Sequence, residues 1–210
     1  MNNLQIQGLS LGQLGTNCYV IYKDNQAIII DPGGDSKILC DWLTKKELIP
    51  ISILLTHAHF DHIGAVEDIR NHYQIPVYLH QAEEDWMEDP TLNGSGLFPV
   101  ENVVCRPADY IIPIGMMEVG SFSFEVKHTP GHSPGGVSFI FADEKIVVSG
   151  DCLFENGIGR TDLPGGNHQQ LINSIKEQLL TLGDSYKIYP GHGPMTTIEK
   201  EKKFNPFISV

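Results

Sequence analysis

The sequence predicts an α/β sandwich, in which two β-sheets pack face to face and helices cover the outside. Three observations lead to this prediction. The chain of 210 residues is 41% hydrophobic and 19% charged, as is usual for a globular protein. Short β-rich runs followed by helical patterns occur twice along it, which favours two layered halves over one doubly wound sheet. No linker or low-complexity tract separates the halves, so we expect one domain over residues 1–210.

The first half contains four predicted strands and two predicted helices. The third strand ends at a turn sequence, DPGG, in residues 31–34. Ile38, Leu39, Trp42 and Leu43 then recur at helical spacing, which indicates the first helix. The predicted strands are residues 4–8, 18–22, 27–30 and 51–55, and the second helix is residues 63–73.

The second half repeats this pattern after an irregular middle segment. Residues 83–104 mix acids, proline, glycine and isolated aromatic residues without periodicity, and we expect them to form a covering loop. A short strand at residues 76–79 precedes this segment. The later strands are predicted at residues 122–127, 136–141, 145–149 and 186–189, with a helix at residues 168–182.

Composition excludes several classes of function. The formal net charge of −12 disfavours nucleic acid as a partner, because affinity for phosphate comes from Lys and Arg. The longest apolar runs are far shorter than the roughly 20 residues that cross a bilayer. The N-terminal residues lack the pattern of a secretory leader, so we expect a cytoplasmic protein. Four widely spaced cysteines are expected to be reduced and mostly buried.

A dense group of candidate metal ligands follows the predicted strand at residues 51–55. Residues 56–62 read THAHFDH, so His57, His59, Asp61 and His62 fall within six positions. A loop held between a strand and a helix can direct several side chains to one point. Imidazole nitrogen and carboxylate oxygen suit a borderline cation such as zinc, so we interpret the group as a metal site.

Three further candidate ligands stand at strand ends beside glycine. His132 lies in the run TPGHSPGG, Asp151 in VVSGD, and His192 in IYPGHG. Glycine allows backbone conformations and close approaches that other residues resist. Each of these sites alone is typical of a structural turn, but their repetition together with the first group favours metal binding.

Together these residues resemble the signature of the metallo-β-lactamase superfamily, H-x-H-x-D-H followed by a distant His, Asp and His. The resemblance covers nearly the whole chain and implies the αββα fold with two mixed sheets. It also implies two ions, zinc by preference with iron or manganese as alternatives. The implied ligands are His57, His59 and His132 for one ion, Asp61, His62 and His192 for the other, and Asp151 as the bridge.

Within the superfamily the chain looks like the short branch similar to glyoxalase II, the hydroxyacylglutathione hydrolases. Residues 159–166, GRTDLPGG, are similar to short bacterial members of that branch. The chain ends eighteen residues after His192, so we expect no C-terminal helical substrate domain. The resemblance implies hydrolysis of thioesters such as S-lactoylglutathione. It favours this over a β-lactamase, because His62 and Asp151 are both present and no export signal is seen.

The implied mechanism uses a hydroxide held between two ions about 3.5–4 Å apart, since metal coordination lowers the pKa of water towards about 7. Asp61 and Asp151 are the predicted catalytic residues that work with this hydroxide. Arg160 is a candidate contact for a substrate carboxylate, and a structural ion pair is the alternative role. The expected partner is a small thioester or thiol conjugate, with no membrane partner.

Other functions remain compatible with the sequence. A glutathione persulfide dioxygenase would bind one iron through His57, His132 and Asp151 and retain all seven residues. A lactone hydrolase is a third possibility. A non-catalytic binding module is a fourth, although an intact ligand set argues against it.

Overall fold

The computed structural model describes residues 4–208. Proximity of Cα atoms divides the chain into two compact units. The first comprises residues up to 112 together with 118–122, and the second comprises 113–117 together with the residues from 123 onward. The expectation of a single domain over residues 1–210 stays a prediction. Residues 1–3, which begin the N-terminal segment predicted to lack a secretory leader, lie outside the described range.

The first sheet is mixed and has six strands. These are β1 (Gln5–Leu11), β2 (Thr16–Lys23), β3 (Gln26–Ile30), β4 (Ile49–Leu54), β5 (Val77–Leu79) and β6 (Tyr110–Ile111). They lie side by side in the order of their numbers. The pairs β1–β2 and β2–β3 are antiparallel, and the pairs from β3 to β6 are parallel. Residues 27–30 lie in β3, between antiparallel β2 and parallel β4, and are fully buried, as expected for a continuous apolar run in a central strand.

Three helices belong to the first unit: α1 (Ser36–Lys45), α2 (Phe60–Ile63) and α3 (Val66–Tyr73). The apolar pattern of α1 places Leu39 and Leu43 in the core, with Trp42 partly buried against it. Ile38, predicted on the same face, is instead 55% exposed. The predicted helix at residues 63–73 is broken at Gly64 and Ala65, which separate α2 from α3.

The irregular segment between β5 and β6 is tied to the first unit. It contains two single 3₁₀ turns, Gln81–Glu83 and Ser95–Leu97. The Asn93 side chain is buried and donates to the main-chain oxygens of Trp86 and Val103, at 3.1 and 2.9 Å. Trp86 is buried in the core of this unit. The predicted loop is therefore irregular in shape, and its inner face is packed against that core.

The second group of strands forms another mixed six-stranded sheet and a small hairpin. In chain order the strands are β7 (Gly115–Val119), β8 (Phe122–His128), β9 (Val137–Phe141), β10 (Ile146–Gly150), β11 (Leu153–Phe154), β12 (Gly157–Ile158), β13 (Lys187–Pro190) and β14 (Thr196–Thr197). The sheet order is β14-β13-β10-β9-β8-β7, and β11 pairs with β12. The β10–β13 pair is parallel, whereas β8–β9, β9–β10 and β13–β14 are antiparallel.

Two helical regions accompany the second sheet. α4 (His168–Ser174) continues into a π-helical stretch, Ile175–Leu179, and α5 (Ile198–Phe204) follows β14. Asn167 caps α4, since its side-chain oxygen accepts from the main-chain nitrogen of Gln170 at 3.0 Å. The helix predicted at residues 168–182 thus begins where expected and changes its hydrogen-bond pattern halfway.

The predicted fold class is confirmed: the protein is α/β, with two mixed sheets and helices. The sequence did not reveal β6, β7, β11, β12, β14 or α5. β6 and β14 have only two residues each, too few to show an alternating pattern. Within residues 4–208, no helix combines the length and the apolar character needed to cross a membrane.

Candidate metal centre

Three buried imidazoles lie where β4 ends and α2 begins. His57, His59 and His62 expose 3% or less of their surface. The ring centroids of His57 and His62 are 4.1 Å apart, and those of His57 and His59 are 4.8 Å apart. Asp61 lies on α2 beside them, with its Oδ2 atom 3.6 Å from Nε2 of His62. The first unit therefore brings its four predicted ligands together.

A further buried residue, Asp31, orients this group. Its Oδ1 accepts the main-chain N–H of Thr56 at 2.8 Å, and its Oδ2 accepts the Thr56 hydroxyl at 2.6 Å. Oδ2 also lies 2.9 Å from Nδ1 of His62. Asp31 has a left-handed φ of 52°, which turns the chain sharply after β3. Asp31 was not predicted as a site residue, although its position at a strand end, directly before Pro-Gly-Gly, resembles that of the predicted ligands.

These contacts determine which imidazole nitrogen is available to a cation. A carboxylate only accepts, so Nδ1 of His62 carries the proton donated to Asp31. The Thr56 hydroxyl gives its single proton to Asp31, and therefore accepts from Nδ1 of His57 at 3.0 Å. In both rings Nε2 is left with its lone pair. This pattern, with Nδ1 donating to the protein, is typical of metal-binding histidines.

Two more contacts hold the loop and Asp61. The Thr16 hydroxyl donates to Oδ2 of Asp61 at 2.7 Å. The fully buried Glu83 accepts the main-chain N–H of Ala58 at 2.6 Å. Neither Thr16 nor Glu83 was predicted, because one is a strand residue and the other falls in the irregular segment, far from the ligand motif.

Two glycines let the turn after β3 pack against α2. A Cβ atom on Gly33 would stand 1.8 Å from the main-chain oxygen of Asp61. A Cβ atom on Gly64 would stand 2.4 Å from the main-chain oxygen of Gly33. Both contacts involve backbone atoms that cannot rotate away. The position of Asp61 thus depends on the absence of side chains at these two residues.

The second unit brings its three predicted ligands together. Oδ2 of Asp151, which follows β10, lies 3.6 Å from Nε2 of His132 and 3.6 Å from Nε2 of His192. One carboxylate oxygen is thus equally close to two imidazoles. Gly131, with φ of 128°, lets the His132 turn approach α4, since its Cβ would stand 2.2 Å from the Leu171 nitrogen.

A loop after β12 fixes the ring of His132. Nδ1 of His132 donates to the main-chain oxygen of Arg160 at 2.8 Å, which again leaves Nε2 with its lone pair. The Arg160 guanidinium bonds both oxygens of Asp162 at 2.7 Å, and its hydrogen bond lowers the pKa of Asp162 to about 2. The proposed alternative for Arg160, an ion pair, is therefore present, while its contact with substrate stays a prediction.

The spacing of these donors fits divalent cations. Two donors about 2.0–2.2 Å from one tetrahedral zinc ion are about 3.3–3.6 Å apart. The Asp61–His62, Asp151–His132 and Asp151–His192 pairs all have spacings of 3.6 Å. The ligand atoms of Asp31, His57 and His62 also lie within 4.8 Å of one another, although Asp31 engages the Nδ1 side of His62. The donor set of each unit is suited to a borderline metal.

Other histidine, cysteine and aromatic residues differ in their surroundings. Nε2 of His128 donates to the main-chain oxygen of Pro134 at 2.9 Å, so it braces the turn that carries His132. Cys152 is buried, and burial raises the pKa of its thiol to about 12, which agrees with a packed, protonated thiol. Trp86 lies 5.6 Å from His59 between ring centroids, while Tyr110 is 55% exposed on β6.

A cavity of 510 Å³ in the first unit opens beside Asp61. We call it the Asp61 cavity. Its walls are the turn before β2, the turn before α1, the start of α2 and part of the irregular segment. The lining residues are Gly12, Gln13, Leu14, Gly33, Gly34, Asp35, Phe60, Asp61, Gly64, Val100, Glu101 and Val103.

Comparison with known proteins defines the class to which the fold and these ligands belong. The sequence profile of the metallo-β-lactamase superfamily matches residues 11–192, which include all seven predicted ligands. The chain belongs to this superfamily. It is a metallo-hydrolase of that superfamily, with clusters of histidine and aspartate suited to divalent metal.

Individual relatives are similar over almost their full length. The chain is 46% identical to a Bacillus subtilis (strain 168) protein named "Probable metallo-hydrolase YqgX", over 96% of both chains. It is 36% identical to hydroxyacylglutathione hydrolase GloC of Haemophilus influenzae, over 92% of both chains. These similarities extend the predicted resemblance to named hydrolases.

Two solved structures are also close. The BLEG-1 B3 metallo-β-lactamase has a TM-score of 0.96 at 47% identity, covering 98% of this chain and 100% of that one. TTHA1623 in a di-iron-bound form has a TM-score of 0.85 at 38% identity, covering 96% of this chain and 99% of that one. One relative therefore binds two iron ions, and another is described as a β-lactamase.

Proposed function

We propose that this protein is a dinuclear metal-dependent thioester hydrolase of the hydroxyacylglutathione hydrolase type. The observation that carries the proposal is the equal 3.6 Å spacing from Oδ2 of Asp151 to Nε2 of His132 and of His192. An oxygen placed equally between two imidazoles suits a carboxylate that bridges two cations. The relative that supports the thioester substrate is the hydroxyacylglutathione hydrolase of Haemophilus influenzae.

In this proposal the seven predicted ligands hold two ions. His57, His59 and His132 would hold one ion, Asp61, His62 and His192 would hold the other, and Asp151 would contribute its carboxylate to both. Zinc is the proposed metal, because imidazole and carboxylate donors suit it, and iron or manganese would fit the same donors. The di-iron form of TTHA1623 supports two occupied positions in a relative.

The bound cations would supply an ionised water and polarise the thioester carbonyl. The protein's own residues provide the rest. Asp61, held by Thr16, would orient the attacking water through a hydrogen bond. Asp151 would keep His132 and His192 at a fixed separation. The leaving thiol needs little help from a general acid, because a free thiol has a pKa of only about 8.5.

The partner in this proposal is a small thioester or thiol conjugate. Arg160 is proposed to bind a carboxylate of that substrate. Its guanidinium is already paired with Asp162, so a substrate carboxylate would compete with Asp162 for the same planar donors. In this proposal the ion pair between Arg160 and Asp162 would be replaced by one between Arg160 and the substrate carboxylate.

The decisive experiment combines metal analysis with two assays on the purified protein. We expect two metal ions per chain and cleavage of S-lactoylglutathione without oxygen. We also expect Asp151→Asn to lower kcat/KM by about 100-fold or more, because loss of a bridging charge weakens metal binding. Asp143→Asn, an exposed change in the turn between β9 and β10, is the matched control. It should leave kcat/KM unchanged.

Other results would replace the proposal. One iron per chain with oxygen consumption on glutathione persulfide would indicate a dioxygenase. Acid release from acyl-homoserine lactones without thioester cleavage would indicate a lactone hydrolase. Turnover no higher than background, in the wild type and in Asp151→Asn alike, would favour a non-catalytic binding module.

A second candidate function is β-lactam hydrolysis. The similarity to the BLEG-1 B3 metallo-β-lactamase, at 47% identity over 98% of this chain, favours it. A β-lactam also presents a carbonyl to an ionised water, so the same residues would serve. A chromogenic cephalosporin measured beside S-lactoylglutathione on one metal-loaded sample distinguishes the two, since the true substrate class should have the higher kcat/KM.

A further inference from the structure

The Asp61 cavity combines apolar walls with negative charge. Leu14 and Phe60 contribute apolar surface on one side, and Val100 and Val103 contribute it on another. Its volume of 510 Å³ falls within the range usual for small-molecule sites, about 300–1,000 Å³. Because Asp61 is one of the lining residues, the cavity adjoins the proposed reaction centre.

The charged groups that line the cavity are all acidic. They are Asp35, Asp61 and Glu101, and no basic side chain is found among the described lining residues. Asp35 is held in place, since its Oδ2 accepts the main-chain N–H of Gly12 at 2.8 Å. No ion pair is found for Asp35 or Glu101 within residues 4–208. A bound cation would offset the charge of Asp61, so Asp35 and Glu101 set the charge of the outer part.

We propose that the Asp61 cavity receives an arm of the substrate that ends in an amine, accepts an uncharged arm less well, and disfavours one that ends in a carboxylate. This inference rests on the proposed function and narrows its substrate class. A thiol with two carboxylates, as in glutathione, is then a poorer fit than a short thiol whose free end is an amine.

The physical basis is charge complementarity next to a surface of low polarity. Apolar walls strengthen the field of nearby carboxylates by excluding water. Asp35 and Glu101 are both exposed, so each should contribute only the modest interaction energy that is usual for surface charges. We therefore expect about a three- to tenfold preference for an amine over a carboxylate at low salt, and a smaller preference near 1 M salt because of screening.

A binding experiment on the metal-loaded protein tests the cavity directly. Butylammonium, butanol and butyrate share one apolar chain and differ in charge. We expect the methyl NMR signals of Leu14, Val100 and Val103 to shift with butylammonium at the lowest concentration, then butanol, then butyrate. Because only these methyl signals are followed, binding of a probe in the cavity is distinguished from binding of the butyrate carboxylate to the metals.

Glu101→Gln isolates the charge, because it keeps the size of the side chain and removes one carboxylate. We expect it to reduce the ratio of butylammonium to butyrate affinity about two- to fivefold. Glu88→Gln is the matched control, since Glu88 is an exposed acid of the same irregular segment outside the cavity lining. Equal affinity for the three probes, no binding of any of them, or the same ratio in Glu101→Gln would overturn the inference.

A kinetic arm separates this inference from the proposed function. S-acetyl thioesters of thiocholine, N-acetylcysteamine and 3-mercaptopropionate carry a quaternary ammonium, a neutral amide and a carboxylate, and the quaternary ammonium has no lone pair with which to attack its own thioester. We expect kcat/KM to fall in that order, and the order to weaken in Glu101→Gln. Cleavage in the reverse order overturns the inference and leaves thioester hydrolysis standing. Absence of any cleavage together with selective butylammonium binding would overturn thioester hydrolysis and leave the cavity's preference for an amine standing.

Discussion

Oδ2 of Asp31 lies 2.9 Å from Nδ1 of His62, and both side chains are buried. This contact sets the tautomer of a proposed metal ligand from a residue 31 positions earlier in the chain. It connects the turn after β3 with the first residues of α2. The ligand motif at residues 57–62 therefore depends on a carboxylate that lies outside it.

Asp31→Asn should weaken metal binding about 10- to 100-fold, the usual cost of removing the partner of a metal-binding histidine. Asn keeps the shape and tolerates the left-handed backbone of residue 31, so backbone strain is not the cause. Titration of the metal-free protein with zinc would measure the effect. Asp24→Asn is the control, since Asp24 is exposed and has nearly the same φ, 53° against 52°. Equal affinities for both variants would contradict the orienting role.

Gly33→Ala should destabilise the protein by about 2–4 kcal/mol, because the new Cβ would collide with the main-chain oxygen of Asp61. Denaturant unfolding of the metal-free protein would measure the free energy of unfolding. Gly157→Ala serves for comparison, since its Cβ would have no neighbour closer than 3.7 Å. The packing argument fails if the two variants lose the same stability.

Removal of metal should lower the unfolding temperature. Ligands that bind only the folded state stabilise it by about 4 kcal/mol when their free concentration is 1,000 times Kd. For a chain of this size that corresponds to about 10 °C. Calorimetry before and after chelation, followed by addition of zinc, would show the shift and its recovery. A midpoint insensitive to chelation would mean that the buried imidazoles hold no structural cation.

Alkaline pH should destabilise the protein in part through Cys105. Burial, followed by the negative charge of Glu67, raises the pKa of this thiol to about 11, from an ordinary value of 9.0. Between these values the unfolded chain releases a proton that the folded protein keeps, so stability falls as pH rises from about 9 to about 11. The slope is at most about 1.4 kcal/mol per pH unit.

Cys105→Ala removes this titration. The free energy of unfolding of the variant should therefore fall less steeply than that of the wild type above pH 9. Urea unfolding at pH 8, 9 and 10 would give both slopes. Parallel curves would show that the Cys105 thiol has the same pKa in the folded and unfolded states.

The sequence predicted the central elements and each group of ligands, because both leave local marks. The run at residues 27–30 is apolar throughout, and His57, His59, Asp61 and His62 lie within six positions. Thr16 and Glu83 were missed because their roles arise from contacts 45 and 25 positions away that no local pattern encodes. Asp31 contacts His62, 31 positions away, and its only local sign was the turn sequence that follows it. Ile38 was misplaced because helical spacing alone does not show which residues a sheet will cover.

The ligands of the first unit lie between β4 and α3, whereas Val100, Glu101 and Val103 stand on a stretch of chain that Asn93 and Ser95 help to hold in place. Mutations in that stretch can reshape one wall without disturbing a single imidazole. The proposed ligands and this part of the cavity wall thus stand on separate segments. What the cavity admits can therefore change at residues 100–103 while the ligand set stays the same.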